Sequence, residues 1–544
     1  MDLVAPLATL ATLGRIFALI GLSIVTGWLL AYASIRSRRF EAAYIPLVNV
    51  LESIPVIGFL PLVLVSFVLA LPPPFGVEFA VDFLVFDAVA WNIWIGIYQA
   101  FKTVPEHLVE VSDNYGFGSF KRMKELYIPH SIPRITSNIF SSFADAFFYI
   151  SVSEVFTAGA ATARVCPGGT CATFGIGTLI TEYLTVGNFL GVYYSLASIA
   201  VAVVAVTFAL SRLSRWAVAK YGVDTPGVIR RYAGRWRGRV PTPWRAVRAQ
   251  MRNVSRVAAR PRQADLAEGS RRTGALKYGA YAFVALMLAY LAYSSFRAAT
   301  SVSASTWYGF LRETPKLLEY VGADYLRVTV IALASLALAV FAGYFLATHR
   351  RTGDAVLPLV QAFAAFPAPA YFPLVFIVTV PFLEHALPFF YSEVYILVLG
   401  FLSCFYYVFF DFWIGVQAIP SEFDEVTRNH EIPFMTRMRR VVFPSAMPYL
   451  ITGLSSTINS AWAGIAIGEF WPNIAPTVAP KGLQVPFGMM YYISSNMAGG
   501  EMAAAAYVSL IFAVIVAVYG VAFTRNLMDL ARRKYVIEEG IFAA

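Results

Sequence analysis

Charge is scarce in this chain: only 14% of its 544 residues are Asp, Glu, Lys or Arg. A soluble domain carries about 25%. That shortfall excludes an ordinary soluble enzyme and a disordered chain. Three cysteines are too few for a disulfide framework. Five histidines form no cluster, and no catalytic triad can be assembled. No G-x-x-x-x-G-K-[ST] phosphate loop occurs, which rules out ATP binding by that route. The first residues, MDLVAPLATLATLGR, lack the basic start of a cleavable signal, so no signal peptide is expected.

Apolar residues are what the chain has in excess. They make up 58% of it, with 15% aromatic and a mean hydropathy of +0.64. A membrane-spanning helix needs about 20 consecutive apolar residues. Eleven stretches qualify, near 13–34, 45–70, 80–101, 130–158, 188–211, 277–296, 323–347, 355–380, 387–415, 445–471 and 501–523. The expectation is an all-α polytopic membrane protein with about eleven transmembrane helices.

Lys and Arg stay on the cytoplasmic side of a membrane. If the first span exits to the cytoplasm at Arg36-Ser37-Arg38-Arg39, alternation puts 35 of the 42 basic residues inside and 5 outside. The N-terminus is then outside and the C-terminus cytoplasmic. The stretch from Arg212 to Lys277 holds 17 basic residues against Asp224, Asp265 and Glu268. Tethered between two spans, it reads as a linker drawn to anionic membrane lipid rather than to nucleic acid.

The chain is also written twice. Ile45-Pro46-Leu47-Val48, Ile54-Pro55 and Pro61-Leu62-Val63 return as Leu357-Pro358-Leu359-Val360, Phe366-Pro367 and Pro373-Leu374-Val375, displaced by 312. Arg15 and Arg327 share that displacement. Further on, Pro105, Glu110, Asn114, Arg122, Met123, Pro129, Pro133 and Glu154 match Pro420, Glu425, Asn429, Arg437, Met438, Pro444, Pro448 and Glu469 at 315. Compositional bias matches apolar residues by chance, but not prolines and charges in register. Two homologous halves of the same orientation are expected: domains at 1–215 and 277–544 joined by a linker at 216–276. The span at 277–296 has no counterpart and restores the orientation.

Each half carries a short polar element in one cytoplasmic loop. Thr103 and Glu106 have the spacing of a capping box, with Pro105 in the first turn. Leu108, Val109, Val111 and Tyr115 form an apolar stripe, and Gly116 and Gly118 stop the helix. In the second copy Ser421 and Asp424 can cap, Glu431 replaces the glycine, and Pro433 is the expected breaker. A capped helix made twice reads as a docking element for something soluble.

Here the chain resembles the membrane subunits of ABC importers. Their cytoplasmic signature has Glu-Ala-Ala, a glycine six residues after the Glu, and an Ile-x-Leu-Pro end. This chain has Glu110-Val111-Ser112, Gly116 and Leu126-Tyr127-Ile128-Pro129, then Glu425-Val426-Thr427, Glu431 and Val441-Val442-Phe443-Pro444. Both copies depart from the alanines, and the second from the glycine. The likeness is greatest to the nitrate, sulfonate and taurine branch, through Arg15, Arg327, Trp462, Glu469 and the glycines 175, 177 and 482. It implies a type I importer permease fold without a cofactor. It also implies a separate ATPase dimer on the cytoplasmic face, a binding protein outside, and a small anion as cargo.

Other residues carry weaker signals. Arg15 and Arg327 either anchor their helices at the interface or draw anions to the pathway. Glu154 and Glu469, awkward in an anion path, fit hydrogen bonding to outer-loop backbone. Cys166 and Cys171, around Pro-Gly-Gly in an outer loop, are candidates for a disulfide, and too few for a metal site. Cys404 reads as inert packing. Two rival functions remain: a secondary transporter of parallel halves, which would need no ATPase, and a membrane-embedded enzyme, which would need clustered polar groups.

Overall fold

The computed structural model describes residues 4–52, 63, 67, 75–158, 173–221, 286, 293, 303–417, 419, 423, 426–427, 429–472, 474–475, 479 and 481–534. Over these the chain is helical, apart from one two-residue strand pair. The expected all-α membrane fold is present.

The first half runs α1 (Val4–Arg36), α2 (Arg38–Glu52), α3 (Phe75–Lys102), α4 (Glu106–Asn114), α5 (Ser119–Arg122), α6 (Ile128–Ala158), α7 (Ile176–Val186) and α8 (Phe189–Tyr221). The second runs α9 (Ala304–Leu338), α10 (Tyr344–Thr348), α11 (Arg350–Ala365), α12 (Ala368–Ala386), α13 (Tyr391–Gln417), α14 (Phe434–Arg437), α15 (Phe443–Glu469), β1 (Phe470–Trp471), β2 (Leu483–Gln484), α16 (Met489–Gly499) and α17 (Met502–Lys534). The strands pair antiparallel, Phe470 opposite Gln484 and Trp471 opposite Leu483. A π turn at Met123–Tyr127 joins α5 to α6, and another at Met438–Val442 joins α14 to α15. The two π turns sit 315 residues apart, so the repeat extends to this irregularity.

Among the described residues, eight helices are long and apolar enough to cross a membrane. The expected spans at 45–70 and 277–296 lie mostly outside those residues. The 31-residue α6 is more polar, with Asp145 at its middle, and is not one of the eight. Two expectations change. The stretch 355–380 is not one span: Phe366-Pro367 ends α11, and α12 starts afresh with Pro367 as its N-cap. Residue 366 is extended because the following proline disfavours the helical region. Residues 304–322, read as outer loop, instead lengthen the next span, giving a continuous helical stretch Ala304–Thr348 of 45 residues. At about 1.5 Å per residue this is about 68 Å, against about 30 Å of hydrocarbon, so it projects beyond the membrane.

Small residues set the closest packing. α13 and α15 touch backbone to backbone: a Cβ at Gly464 would lie 2.5 Å from Leu399 O and 2.6 Å from Gly400 Cα. Only glycine allows that approach, which supplies dispersion contact where lipid offers no hydrophobic driving force. One apolar core runs through both halves, with Phe143, Phe147, Phe372, Phe376 and Trp462 fully buried.

Candidate functional site: two exposed loops, two arginine–carboxylate clusters and a contact between the halves

In the first loop, Pro105 (φ −57°, ψ 133°) is the N-cap of α4 and no side chain caps the helix. The capping-box expectation fails here. Thr103 Oγ1 instead donates back to Gln99 O (3.1 Å) and Ala100 O (3.2 Å), closing α3. Pro105 starts the new helix two residues too late for Thr103 to reach its first amides.

Gly116 ends α4 in the left-handed region, φ 63°, and Phe117 N donates to Ser112 O (2.9 Å). In the second loop Glu431 takes φ 49°, and Ile432 N donates to Thr427 O (3.0 Å). Six-to-one closures of this kind define a Schellman ending. Pro433 is therefore not the breaker. It is the N-cap of α14, as Gly118 is of α5. Glu431 adopts the conformation that glycine has in the other copy.

Ser112 and Thr427, equivalent at 315, are both buried, while Val111 and Val426 are 47% and 51% exposed. Tyr115, Phe120, Phe434 and Met435 are exposed as well. Of the apolar stripe, Val111 and Tyr115 thus point outward, while Leu108 and Val109 are half-buried. Both loops show an apolar face on a polar element, as a partner surface requires. Glu110 is exposed beside Val111. Arg122 pairs with Asp113, and Lys121 lies over the Phe117 ring at 4.1 Å, which stiffens the turn. Pro129 and Pro444 are half-buried second residues of α6 and α15. Glu425 lies outside the described residues, as do Cys166, Cys171 and most of the basic linker.

Beside the first loop, Glu41 of α2 accepts from Lys102 Nζ (2.7 Å) and Tyr98 OH (2.5 Å) at the end of α3. The bond from Lys102, then that from Tyr98, holds the carboxyl below its ordinary range.

At the opposite end of the helices, each half buries an arginine among carboxylates. Arg15 Nη2 meets Asp82 (2.8 Å) and Glu78 (2.9 Å), with Glu154 at 3.9 Å from Nη1. Arg327 is more enclosed: its Nη1 meets Glu469 (2.6 Å) and Asp324 (2.9 Å), and its Nη2 meets Glu393 (2.5 Å). Glu154 Oε2 accepts from Gly177 N (2.7 Å), at the start of α7. Glu469 Oε2 accepts from Tyr491 N and Asp324 Oδ2 from Met489 N, both 2.8 Å, at the start of α16. The carboxylates thus fill the amide-rich N-termini of two short helices. Glycine makes room: a Cβ at Gly175 would lie 1.9 Å from Glu154 Oε1, and one at Gly488 2.3 Å from Glu469 Cδ.

The partners Glu78 and Glu393 went unread in the sequence, although they stand 315 apart and the repeat alignment marks them. Thr12 and Asp324, 312 apart, went unread too, and Thr12 Oγ1 donates to Glu154 (3.1 Å).

A further polar contact crosses the membrane interior between the halves. Asp145, at the middle of α6, is 7% exposed and accepts from Tyr406 OH (3.0 Å) and from Tyr407 OH, both at the middle of α13. Phe140 meets Phe410 edge to face one turn away (6.2 Å). A lone carboxylate in mid-span was the available signal.

The architecture is that of a polytopic helical membrane protein with a duplicated loop and, at the other end of the helices, a duplicated charge cluster. The sequence pattern of the binding-protein-dependent transport system inner membrane component matches residues 23–222 and again 335–534, so the chain belongs to that family, in two copies. The copies are displaced by 312, the displacement of Arg15 and Arg327. Among relatives, the nitrate import permease protein NrtB of Synechocystis sp. is 24% identical over 147 residues, 27% of this chain and 50% of that protein. NrtB of Synechococcus elongatus is 22% identical over 189 residues, 35% of this chain and 60% of its own. The putative aliphatic sulfonates transport permease protein SsuC of Bacillus subtilis is 25% identical over 79 residues, 14% and 29%. The chain spans about half the length of the curated relatives it matches first. It is a multi-pass component of a membrane, as its family and apolar helices require.

Proposed function

We propose that this chain is the fused permease of an ABC-type importer, both membrane domains in one polypeptide, forming the pathway for a small solute. The proposed cargo is an anion of the nitrate or sulfonate kind, by likeness to NrtB and SsuC. The chain has no nucleotide site of its own in this reading, so ATP hydrolysis falls to a partner dimer. One ATPase subunit grips each loop, around Glu110, Val111, Ser112 and Gly116 and around Glu425, Val426, Thr427 and Glu431. A binding protein delivers cargo at the outer end, where Arg15, Arg327, Glu154 and Glu469 hold the α7 and α16 helices. The orientation follows the basic residues: N-terminus outside, C-terminus and linker cytoplasmic.

The observation that carries this reading is the shared ending of the two loops. Gly116 and Glu431 make the same turn, and each turn follows an exposed valine at the same place. A loop without a partner has no need to keep that geometry twice. When ATP closes the partner dimer, the loops approach and the halves rock. Contacts between halves must then break and re-form, and Asp145 with Tyr406 and Tyr407 is such a contact.

Co-expression with its ATPase and binding protein, followed by solute uptake into vesicles, tests the proposal. Uptake should require ATP and disappear with Val111→Asp/Val426→Asp. Uptake that proceeds without ATP and follows an ion gradient would refute it in favour of a secondary transporter.

A further inference from the structure

A groove of about 380 Å³ lies where the halves meet, between α8 of the first and α11 and α12 of the second. Ala200, Val203, Val204, Ala362, Phe363 and Phe366 line it, and its walls are almost wholly apolar. Val204 and Phe363 are 58% and 49% exposed, so the groove opens to the outside of the bundle. α8 is one of the membrane-spanning helices, so what lies outside is hydrocarbon.

Both walls lead to a basic residue at the same depth. Arg215 stands eleven residues after Val204 on α8, and Arg351 eleven residues before Ala362 on α11. Eleven residues are about three turns, so each arginine returns to nearly the same side of its helix, about 16 Å along the axis. α8 starts at the end that holds Arg15 and Glu154, where Ser198 meets Thr9 (2.9 Å). α11 starts where the stretch that leaves the cluster of Arg327 and Glu469 has reached the other end. The two helices pack on each other, so both arginines fall at the same end of the groove. Both are exposed, and Arg215 Nε donates to Ser211 O (3.2 Å), which steadies its guanidinium. Trp216, half-exposed with Lys220 over its ring at 4.8 Å, marks this level as the membrane–water interface. The separation matches one leaflet of hydrocarbon, about 15 Å.

We propose that this seam binds one anionic phospholipid, with an acyl chain in the groove and the phosphate between Arg215 and Arg351. An apolar slot capped by two cations at leaflet distance has the charge and length of that molecule. Planar guanidinium groups suit phosphate by paired hydrogen bonds. The lipid would touch both halves, so it would weigh on their relative movement. The inference is independent of what the chain transports.

The test uses the purified full chain, stripped of lipid and reloaded with phosphatidylglycerol or with phosphatidylcholine of the same acyl chains, and native mass spectrometry. The wild type should hold one phosphatidylglycerol at least tenfold more tightly than phosphatidylcholine. Arg215→Gln/Arg351→Gln should remove that preference. Val204→Trp, which fills the groove, should lower retention of both lipids, and Val201→Trp, beside the groove, should not. Equal retention of the two lipids by the wild type would overturn the proposal, as would a preference that survives the double arginine change. Displacement of the lipid by millimolar inorganic phosphate would reduce the site to a phosphate contact and overturn it too. Should Val204→Trp fail to fold, phosphatidylglycerol with a photoreactive acyl chain gives the same reading. Labelling of peptides holding residues 200–204 and 362–366 supports the site. Labelling elsewhere, or none because residues 277–296 of this chain cover the groove, defeats it.

Discussion

Gly116 and Glu431, 315 positions apart, occupy the same left-handed backbone conformation at equivalent places in the two loops, with φ of 63° and 49°. For glycine that conformation is free of strain; for a residue with a Cβ it costs roughly 1–2 kcal/mol. Among the described residues Glu431 is the one non-glycine at positive φ. Glu431→Gly should therefore raise the thermal midpoint of the purified protein, by roughly 1 kcal/mol of stability. Gly116→Val should lower it by at least as much, because a β-branched side chain is worse there than Glu. A fall on Glu431→Gly would mean that the side chain contributes more than its backbone strain costs.

The proposed docking surface gives a second expectation. Val111 and Val426 are half-exposed and cover little core, so Asp at either place should leave folding unchanged within about 0.5 kcal/mol. It should nonetheless abolish co-purification of an ATPase, since a charge in the centre of a packed interface is left unpaired. Size-exclusion profile and pull-down, measured on the same preparation, separate the two effects.

The Arg15 and Arg327 clusters differ in depth, and their variants should differ with them. Arg327 is 7% exposed and touches two fully buried carboxylates, Asp324 and Glu469, whereas Arg15 is 18% exposed and its two nearest partners, Glu78 and Asp82, are more than a third open. Removing one partner from a buried pair costs roughly 3–5 kcal/mol because the other charge stays uncompensated. Arg327→Met should fall in that range, and Arg15→Met well below it, in thermal melts of the full chain. Gly488→Ala should resemble Arg327→Met, since its methyl would displace the Glu469 carboxylate. Equal losses at Arg15 and Arg327 would contradict this ranking.

A feature is legible in the sequence according to the range over which it is decided. Spans are local, so α1, α3, α8, α13, α15 and α17 fall where continuous apolar runs put them. The break at Phe366-Pro367 was also local, and the proline was in view; the apolar run on both sides hid it. The extension of α9 to Ala304 was hidden because that stretch is amphipathic and carries Arg312 and Lys316. The repeat exposed Arg15, Arg327, Glu154 and Glu469 as equivalents. Their partners needed the pairing of α1 with α3 and α9 with α13, which no local pattern encodes. The end of the second loop was misread because left-handed Glu is costly and Pro433 is a strong breaker. Tertiary context overrode both.

Glu41 offers a test by pH. Its carboxyl is held below the ordinary range by Lys102 and Tyr98, so the folded state binds its proton less readily than the unfolded chain. The stabilisation is full above the unfolded carboxylate range, near pH 4.3, and is lost as pH falls through the lower folded value. The group is partly exposed, so solvent screening keeps its contribution small. Comparing wild type and Glu41→Gln, the difference in thermal midpoint should be largest near neutral pH and close towards pH 3. A difference that grows on acidification would reverse the assigned sign.

Asp145 bears on movement between the halves. Its carboxylate receives two tyrosine hydroxyls from the other half at mid-membrane, and nothing in the repeat duplicates it: position 460 is serine, and positions 91 and 92 are tryptophan and asparagine. One asymmetric contact thus bridges α6 and α13. Tyr406→Phe/Tyr407→Phe leaves the acid buried without those donors, which should cost roughly 1–3 kcal/mol. Asp145→Asn keeps an acceptor and should cost less. If the contact favours the state seen here, losing it shifts the population towards the other arrangement of the halves. In the proposed importer complex, changing both tyrosines should then speed ATP hydrolysis several-fold without binding protein and solute, as expected of a complex closer to its activated state. Unaltered basal hydrolysis, alongside the expected loss of stability, would make Asp145 a packing contact rather than a brake on rocking.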